Sequence, residues 1–460
     1  MKKLKEKIAN FFNFQGNDTN FSKEIRGGII TFLAMCYILA VNPSILSASG
    51  MPSSAVFIAT AISAGIATIL MGVFAKLPFA LASGMGLNAF FAFTVCGVMG
   101  YSWQFALTAI LVEGLIFIIL SLTGVREAIF KSIPQNLKYA VSIGIGFFIA
   151  LIGLLNANII VKDPSTALAH FNFQGGDFNT TGITVLISII GIMFTGILIN
   201  KKVPGGLLWG ILGTWGLGMI CQALNIYIPN PEVGFYSLFP NFSQMTNLGD
   251  LQATFMKFDL SAIANPQFWF VVFAFLFVDI FDTLGTLTGC AIEGNMLDEN
   301  GNLPGARKAL LTDAIGTTIG ACLGTSTVTA FVESSSGVAE GARTGFASVV
   351  TGVLFILALI LSPIFLAIPS FATAPALILV GCFMMRSSAK QIDWDDFSEA
   401  IPAFMIMIMM PFSYSIATGI AYGFVTYTLI NLIFGNRKKV NWIMIVLSIL
   451  FIIKFALVGN

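Results

Sequence analysis

Charged side chains are scarce in this chain. Only 10% of its 460 residues are Asp, Glu, Lys or Arg, against roughly 25% in a typical soluble domain. The 23 basic and 22 acidic residues leave a net charge of +1, so nothing indicates a surface for nucleic acid. Because 57% of the residues are hydrophobic and apolar runs of about 20 residues recur, the sequence predicts a polytopic α-helical membrane protein.

Histidine and closely paired cysteine are also missing. His170 is the only histidine, and it lies in a polar connection. The six cysteines fall in or beside apolar segments and show no Cys-x-x-Cys spacing. These absences exclude a His/Cys metal cluster and a buried histidine proton relay. With no nucleophile–base motif either, we expect no metal, no cofactor and no enzymatic activity.

The apolar segments form two sets of seven. They lie near residues 28–47, 54–76, 80–100, 104–124, 137–156, 182–199 and 207–224, and then near 266–289, 308–323, 326–342, 345–368, 372–387, 400–412 and 415–434. Because seven is odd, a second copy of such a set enters the membrane inverted. We therefore predict an all-α fold of about 14 transmembrane segments in a 7+7 inverted repeat.

This prediction divides the chain into five parts. They are an N-terminal segment (1–27), a first seven-span repeat (28–224), an extracellular connection (225–265), a second repeat (266–434), and a basic loop with an extra apolar segment (435–460). Within the first part, "LKEKIANFFNF" is typical of a short amphipathic surface helix. Whether the last apolar run, 441–458, crosses the membrane is open.

Basic residues indicate the orientation. With the N-terminus in the cytoplasm, the cytoplasmic side holds nearly all of the 23 basic residues, including Arg126, Lys131 and the "NRKK" run at 436–439. The exceptions are Lys162, Lys257 and Lys454. This arrangement requires 400–412 and 415–434 to be two separate segments.

Two segments at matching positions in the two halves are interrupted. They are the third, "LPFALASGMGLNAFF" (77–91), and the tenth, "GTSTVTAFVESSSGVAEG" (324–341). Irregular backbone inside a membrane must be buried in protein or line a cavity. Paired interrupted segments therefore indicate a transporter's midplane binding site. The alternative is that their small residues only form helix-packing seams.

Acidic residues inside the predicted spans are functional candidates, because a charge at membrane depth is costly. Asp279 and Asp282 in "FLFVDIFDTLGTLTG" are three positions apart and share one helix face. Two nearby carboxylates do not ionise together easily, and we predict that Asp282 carries the transported proton. Glu333 follows an extended stretch, where we expect the N-terminus of a helix to hold its carboxylate ionised.

The other intramembrane acids have structural alternatives. Glu113 is followed by a glycine and can serve a packing contact, while Asp313 lies near the basic end of its segment and is expected to be a structural partner. Glu340 is expected to form an ion pair with Arg343 near the surface.

The polar groups favour a neutral ring as the ligand. Carboxylates accept hydrogen bonds from N–H groups, Asn88 offers both a donor and an acceptor, and Phe90 or its neighbour can stack on a ring. An inorganic anion fits poorly, because no lysine or arginine falls in the middle of the predicted core spans.

Five motifs together resemble one known family. They are "EIRGGIITFLAMCYILAVNPSIL" (24–46), "GMGLNAFF" (84–91), "FVDIFDTLGTLTG" (277–289), "GTSTVTAFVESSSGVAEGARTG" (324–345) and "AIPAFMIMIMMPFSYSIATGIAYGF" (400–424). The chain resembles the AzgA-like adenine/guanine/hypoxanthine permeases of the nucleobase–ascorbate transporter superfamily over nearly its whole length. The resemblance implies fourteen spans split into a core domain and a gate domain, with short β-strands in the third and tenth segments that meet at mid-membrane.

The resemblance also implies a function: uptake of adenine, guanine or hypoxanthine with a proton across the plasma membrane, by elevator-like alternating access. It assigns Asn88, Asp279 and Glu333 to contact with the base and Asp282 to proton coupling. Phe90 and Ser334, beside these residues, complete the predicted substrate-binding set.

Other interpretations remain open at this point. Relatives that carry xanthine or uracil have an "E-N-x-G" motif where this chain has "ESSSG", which favours the purine branch over a permease for those bases. An anion exchanger of the same fold and a passive channel are further alternatives. The preferred purine, coupling to sodium instead of a proton, and assembly as a homodimer are also open.

Overall fold

The computed structural model describes residues 2–124, 133–163, 165–174, 177–231, 234–242, 246–298, 303–434 and 437–458. Arg126, Lys131 and Asn436, which the sequence places on the cytoplasmic side, lie outside the described residues.

Helices dominate both halves. The first half contains α1 (Lys2–Phe11), α2 (Phe21–Met35), α3 (Ile38–Leu46), α4 (Ser53–Leu70), α5 (Met85–Ala89), α6 (Trp103–Thr123), α7 (Gln135–Asn156), α8 (Ile183–Asn200) and α9 (Gly206–Ala223). The second half contains α10 (Pro266–Glu293), α11 (Ala306–Leu323), α12 (Ser334–Ala339), α13 (Gly345–Leu357), α14 (Ser362–Ala367), α15 (Ser370–Ser388), α16 (Phe397–Phe412), α17 (Ile416–Ile433) and α18 (Trp442–Val458). The strands are β1 (Leu81–Ser83), β2 (Ile160–Asp163), β3 (Ala167–His170) and β4 (Val328–Ala330).

Local sequence signals set many helix ends. The hydroxyl of Ser102 accepts from the backbone N–H of Phe105 at the start of α6, and Ser415 does the same for Thr418 at the start of α17. A side-chain oxygen at this position satisfies one of the free N–H groups of the first turn. Gly324 ends α11 with φ +98°, a left-handed conformation that glycine adopts without strain.

Ten described helices are long and apolar enough to cross a membrane. The remaining predicted segments contain α5 with its π-helical extension to Val98, α11, α12 and α16, which fall short by length or composition. The count of fourteen spans and the exact limits of the two repeats therefore stay predictions.

The helices α16 and α17 form an antiparallel pair. The chain breaks between them at residues 413–415. Lys439, beyond the end of α17, donates to the carboxylate of Asp396, just before α16, at 2.7 Å. This hydrogen bond lowers the pKa of Asp396 to about 2, so the contact stays ionised into the acidic range. The predicted split of this region into two segments agrees with this geometry.

The helices pack as two groups. The core group contains α2–α6 and α10–α13, and the gate group contains α7–α9 and α15–α18, as judged by which helices pack against each other. Each half of the chain thus gives its first four predicted segments to the core group and its last three to the gate group. This symmetric division is what an internal repeat predicts.

The helix α18 touches both groups. Its Ser448 hydroxyl lies 2.7 Å from the hydroxyl of Thr428 on α17. The ring of Phe451 packs on Phe273 of α10, with centroids 5.6 Å apart. Hydrogen bonds therefore hold α18 to the gate group, and aromatic packing joins it to the core group.

The two interrupted segments meet inside the core group. β1 and β4 pair antiparallel, with Leu81 opposite Ala330 and Ser83 opposite Val328, and every residue of both strands is buried. The expectation that short strands of the third and tenth segments meet is confirmed, and so is the predicted all-α class with these two interruptions.

Close helix contact in the gate group depends on glycine. Gly146 of α7 faces Gly381 of α15, and a Cβ atom added at Gly146 would lie 2.6 Å from the carbonyl oxygen of Gly381. Real Cβ atoms do not approach a backbone oxygen this closely, so a side chain here must push the two helices apart.

We expect Gly146→Leu to lower the free energy of unfolding by about 1–3 kcal/mol, because overpacking a helix seam strains it. Thermal unfolding of the purified protein in detergent measures the change. The matched control is Gly216→Leu on α9, where an added Cβ meets nothing within 4 Å. Equal melting temperatures for the two variants would contradict this packing.

Candidate substrate-binding site at the strand crossing

The end of β1 brings backbone close to two polar side chains. Gly84 follows β1, and a Cβ added there would lie 2.9 Å from Thr329 Oγ1 and 3.3 Å from Asp282 Oδ2. Thr329 belongs to β4 and Asp282 to α10. β1, β4 and α10 therefore converge at one point, which we call the strand crossing. Glycine at position 84 leaves room there for the polar groups.

Glu333 lies at the end of this crossing and is half-buried. Its carboxylate accepts a hydrogen bond of 2.6 Å from the hydroxyl of Tyr37. Tyr37 is fully buried between α2 and α3. A phenol donating to a carboxylate is a strong, directional contact, so Tyr37 fixes the direction in which Glu333 points.

The predicted role of the α12 helix end is wrong. Glu333 precedes α12, but its side chain makes no hydrogen bond to the N–H groups of that helix. Its backbone already has helical angles, φ −59° and ψ −18°, whereas a residue that caps with its side chain usually has extended angles. Tyr37, and not the helix N-terminus, is the partner of this carboxylate.

Asp282 is also half-buried. Its Oδ2 accepts from the hydroxyl of Thr329 at 3.1 Å. Asp313 and Glu333 are both electrostatic neighbours of Asp282. Asp282 and Glu333, from different segments, are therefore the acids that the strand crossing leaves partly accessible.

Asp279 lies in different surroundings. It is fully buried and accepts from the hydroxyl of Thr283, one turn further along α10, at 2.8 Å. The same hydroxyl lies 3.1 Å from each carboxylate oxygen of Asp313 on α11. The structure does not bring Asp279 to the half-exposed side where Asp282 and Glu333 lie.

Helix geometry explains this difference. Residues three apart on a helix differ by about 60° in direction, and residues four apart by about 40°. That rotation is enough to direct Asp279 and Thr283 towards α11 while Asp282 faces β4. Asp279 and Asp282 thus lie on the same broad face of α10, as their spacing predicts, but Asp279 contacts α11 through Thr283 whereas Asp282 contacts β4.

The contact between Asp279, Thr283 and Asp313 suits a bound proton. A hydroxyl carries one hydrogen, yet the Thr283 hydroxyl lies within hydrogen-bond distance of three carboxylate oxygens. With a proton on one carboxyl group, that group donates to the threonine oxygen while the threonine donates to the other carboxylate. The arrangement is chemically able to hold one proton between two acids.

Asn88 and Ser334 are fully buried and hold the interrupted segments together. The Asn88 side-chain oxygen accepts from the hydroxyl of Ser326, and the Ser334 hydroxyl accepts from the backbone N–H of Ala80 at 2.9 Å. Each side chain therefore crosses from one interrupted segment to the other. Both lie beside the crossing, as predicted, but their described hydrogen bonds are within the protein.

The ring of Phe90 is buried as well, with 2% of its surface exposed. It packs edge-on against Phe275 of α10, with centroids 4.9 Å apart. In this conformation the ring supports α10 from inside the core group, and it does not present an open face on which a base can stack.

The remaining acids also make contacts within the protein. Glu113 accepts from the hydroxyl of Thr327 at 2.8 Å. Glu340 lies 3.7 Å from the guanidinium of Arg26, so the predicted pair with Arg343 is wrong. Arg343 instead donates to the backbone carbonyls of Val338, in the last turn of α12, and of Ala342, just after that helix.

Sequence reasoning missed Tyr37, Thr283 and Thr329 as members of this site. Tyr37 lies within a quoted motif, and a phenol in an apolar run is the signal that points to it. The two threonines carry no such signal, because hydroxyls at helical and strand positions commonly bond to nearby backbone. Among the described residues, no group of three or more His, Cys, Asp or Glu side chains is placed to hold a metal ion.

Comparison with known proteins places this chain in a family. The model of the Permease family matches residues 22–422. The chain is 45% identical to the guanine/hypoxanthine permease PbuG of Bacillus subtilis, covering 97% of this chain and 99% of that protein. It is 38% identical to the adenine permease AdeQ of Escherichia coli, covering 98% of this chain and 96% of that protein.

A solved structure supports the fold. The transmembrane domain of the cyanobacterial bicarbonate transporter BicA matches with a TM-score of 0.62 at 14% identity, covering 86% of this chain and 96% of that chain. At this identity the match shows a shared fold and nothing about the substrate. The protein is a multi-span membrane transporter and not an enzyme, and it belongs to the Permease family, on the branch of adenine, guanine and hypoxanthine permeases that its motifs resemble.

Proposed function

We propose that this protein takes up purine nucleobases, namely adenine, guanine or hypoxanthine, together with a proton across the plasma membrane. Near-full-length similarity to permeases named for these bases supports the substrate class. The observation that carries the proposal is the half-buried carboxylate pair of Asp282 and Glu333 at the strand crossing.

The base is recognised by its N–H groups. Ionised carboxylates only accept hydrogen bonds, and a purine base offers several N–H donors. Asp282 and Glu333 each accept one hydrogen bond from another side chain, from Thr329 and Tyr37 respectively. Carboxylates have about four lone-pair sites each, so both retain capacity to accept from a base. The predicted contacts Asn88, Phe90 and Ser334 keep the crossing in place behind these acids.

The proton is held by Asp279 and Asp313 through Thr283. This assignment exchanges the roles that the sequence gave to Asp279 and Asp282. It rests on the single hydroxyl that faces both buried carboxyl groups. The proton and the base then lie within about one turn of α10 of each other, so binding of one acts on the other through a short stretch of helix.

Transport proceeds by elevator-like movement of the core group against the gate group. All of the site residues named above lie in the core group. The core group therefore carries the base, the carboxylates and the proton as one unit. This location supports alternating access by displacement of one rigid body past another.

An anion exchanger of the same fold is the weaker alternative. The bicarbonate transporter domain shares the fold, but an anion next to Asp282 and Glu333 would meet like charge. A neutral base with N–H donors meets acceptors at the same positions.

We expect Asp282→Asn and Glu333→Gln each to weaken purine binding by about 30–150-fold, because each loses a charge-assisted hydrogen bond and leaves a mismatched partner. Binding of radiolabelled adenine, guanine and hypoxanthine to the purified protein measures this. The control is Glu293→Gln at the exposed end of the same helix, which should bind normally. Unchanged affinity in either site variant removes that residue from the site.

We expect Asp279→Asn to retain purine binding and to lose accumulation driven by a pH gradient, because the Thr283 hydroxyl then faces a group that cannot release a proton. Binding and uptake are measured separately in reconstituted vesicles. If Asp279→Asn still concentrates purine under a pH gradient alone, the proton is held elsewhere. If Asp282→Asn instead binds purine but does not accumulate it under a pH gradient, Asp282 carries the proton, as the sequence predicts.

We also propose that the N-terminus and the "NRKK" run are cytoplasmic. In a variant whose six native cysteines are replaced, an impermeant reagent added to intact cells should fail to label Asn17→Cys or Lys438→Cys. It should label Tyr236→Cys in the predicted extracellular connection. Labelling at position 438 without labelling at 17 would show that α16 and α17 do not both cross.

A further inference from the structure

The N-terminal helix α1 has a basic side and an apolar side. Lys3, Lys5 and Lys7 are exposed. At about 100° per residue, Ile8 and Phe11 share one side of the helix, with Lys5 and Lys7 on either flank. Ile8 is only half-buried and Phe11 is 48% exposed, so the protein leaves this apolar side partly uncovered. An apolar stripe flanked by lysines is typical of a helix that lies in the membrane interface.

The end of α1 is fixed at the level where spans meet the membrane surface. Lys76, directly after the span Ser53–Ala75, donates to the backbone carbonyl of Phe11 at 3.1 Å. Its ammonium also lies 4.8 Å from the centroid of the Phe11 ring. The first span begins at Phe21, ten residues further on. The helix therefore lies beside the ends of two spans.

A cluster of aromatic rings joins the following residues to a third span. Phe346, at the start of the span Gly345–Ala367, packs against Phe12 and Phe14, with centroids 5.6 and 5.8 Å away. Phe12 and Phe14 are buried. This packing keeps α1 close to the same surface of the core group.

Buried hydrogen bonds connect this region to the substrate site. The carboxylate of Glu24, fully buried in α2, accepts from the backbone N–H groups of Arg343, Thr344 and Ala347 at 2.8–3.2 Å. These residues lie just before α13 and in its first turn, shortly after α12 and Glu333. The N-terminal region and the segment that carries Glu333 are therefore one packed unit.

Further cations surround this unit at the same level. Lys23 is exposed at the start of α2, as is Arg26, which pairs with Glu340 at 3.7 Å. Lys308 is exposed with its ammonium 5.8 Å from the Phe74 ring at the end of the second span. Together with the lysines of α1 they form a basic rim beside an uncovered apolar stripe.

We propose that α1 and this basic rim form a binding surface for the head groups of anionic phospholipids. The lysines meet the phosphate groups, and Ile8 and Phe11 enter the region between head groups and acyl chains. Because α1 is fixed to the core group, the bound lipid belongs to the part of the protein that carries the substrate site.

Amide hydrogen exchange of the full-length protein tests the proposal. The protein is placed in vesicles of phosphatidylcholine alone, or of an equal mixture with phosphatidylglycerol, and exchange is followed over residues 2–14. We expect exchange to slow by about tenfold or more in the anionic mixture, since each lysine near an anionic surface contributes roughly a fivefold preference. High salt should remove the difference.

Matched variants separate lipid binding from a structural role. The triple variant Lys3→Gln, Lys5→Gln, Lys7→Gln should lose the lipid-dependent difference, and the corresponding arginine variant should keep it. The double variant Lys201→Gln, Lys202→Gln changes two exposed lysines in the loop between α8 and α9, and it should also keep the difference. The proposal is overturned if exchange is equal in the two lipids or if the glutamine variant still responds. It is also overturned if soluble glycerol phosphate produces the same protection in phosphatidylcholine vesicles.

Discussion

Backbone inside a membrane has no water to satisfy its N–H and C=O groups, and the two interrupted segments of this protein satisfy each other. β1 and β4 pair antiparallel, and the pairing continues beyond them through Gly84 N–H to the Thr327 carbonyl and Phe331 N–H to the Ala80 carbonyl, each 3.0 Å long. Every unsatisfied group at this depth would cost several kcal/mol. The position of the proposed site follows from this pairing, because β4 brings Thr329 against Asp282 of α10 and places Glu333 a few residues beyond its end.

The small residues of the tenth segment also have a direct role in this pairing. The three successive hydroxyl residues 325–327 bond to Ser83, Asn88 and Glu113, on three different parts of the core group. Larger side chains at these positions would separate the strands, and apolar ones would leave the buried asparagine and glutamate without these partners. The richness in Ser, Thr and Gly that marks the segment in the sequence is therefore a requirement of the crossing and more than a helix-packing seam.

The sequence predicts where the helices and interruptions lie, but it does not predict the direction in which each acidic side chain points. Hydropathy and charge placed the helices, the break between α16 and α17, and the two interruptions, because these depend on local composition. The direction of each acid depends on residues far away in the chain: Tyr37 meets Glu333 across 296 positions, and Thr283 meets Asp313 across 30. No spacing rule contains such contacts. For the same reason the fact that Asp279 and Asp282 face different surroundings becomes visible only once α10 is packed against α11 and β4.

The strand crossing also explains how the resemblance relates to the proposed site. Motif similarity identifies the segments that pair at the strand crossing, since their glycines and hydroxyls are needed for the backbone to pair. It does not determine which of two acids on one helix faces the accessible side, because a rotation of about 60° separates them.

The helix α18 lies beyond the part of the chain that the family model matches, which ends at residue 422. It is tied to α17 by directional hydroxyl contacts and meets α10 through the ring of Phe451. Aromatic and apolar contacts are far less directional than hydrogen bonds, so a displacement along this seam exchanges one set of ring neighbours for another without exposing an unpaired donor. In the elevator-like movement proposed above, this apolar contact between α18 and α10 is therefore a surface along which the core group slides past the gate group.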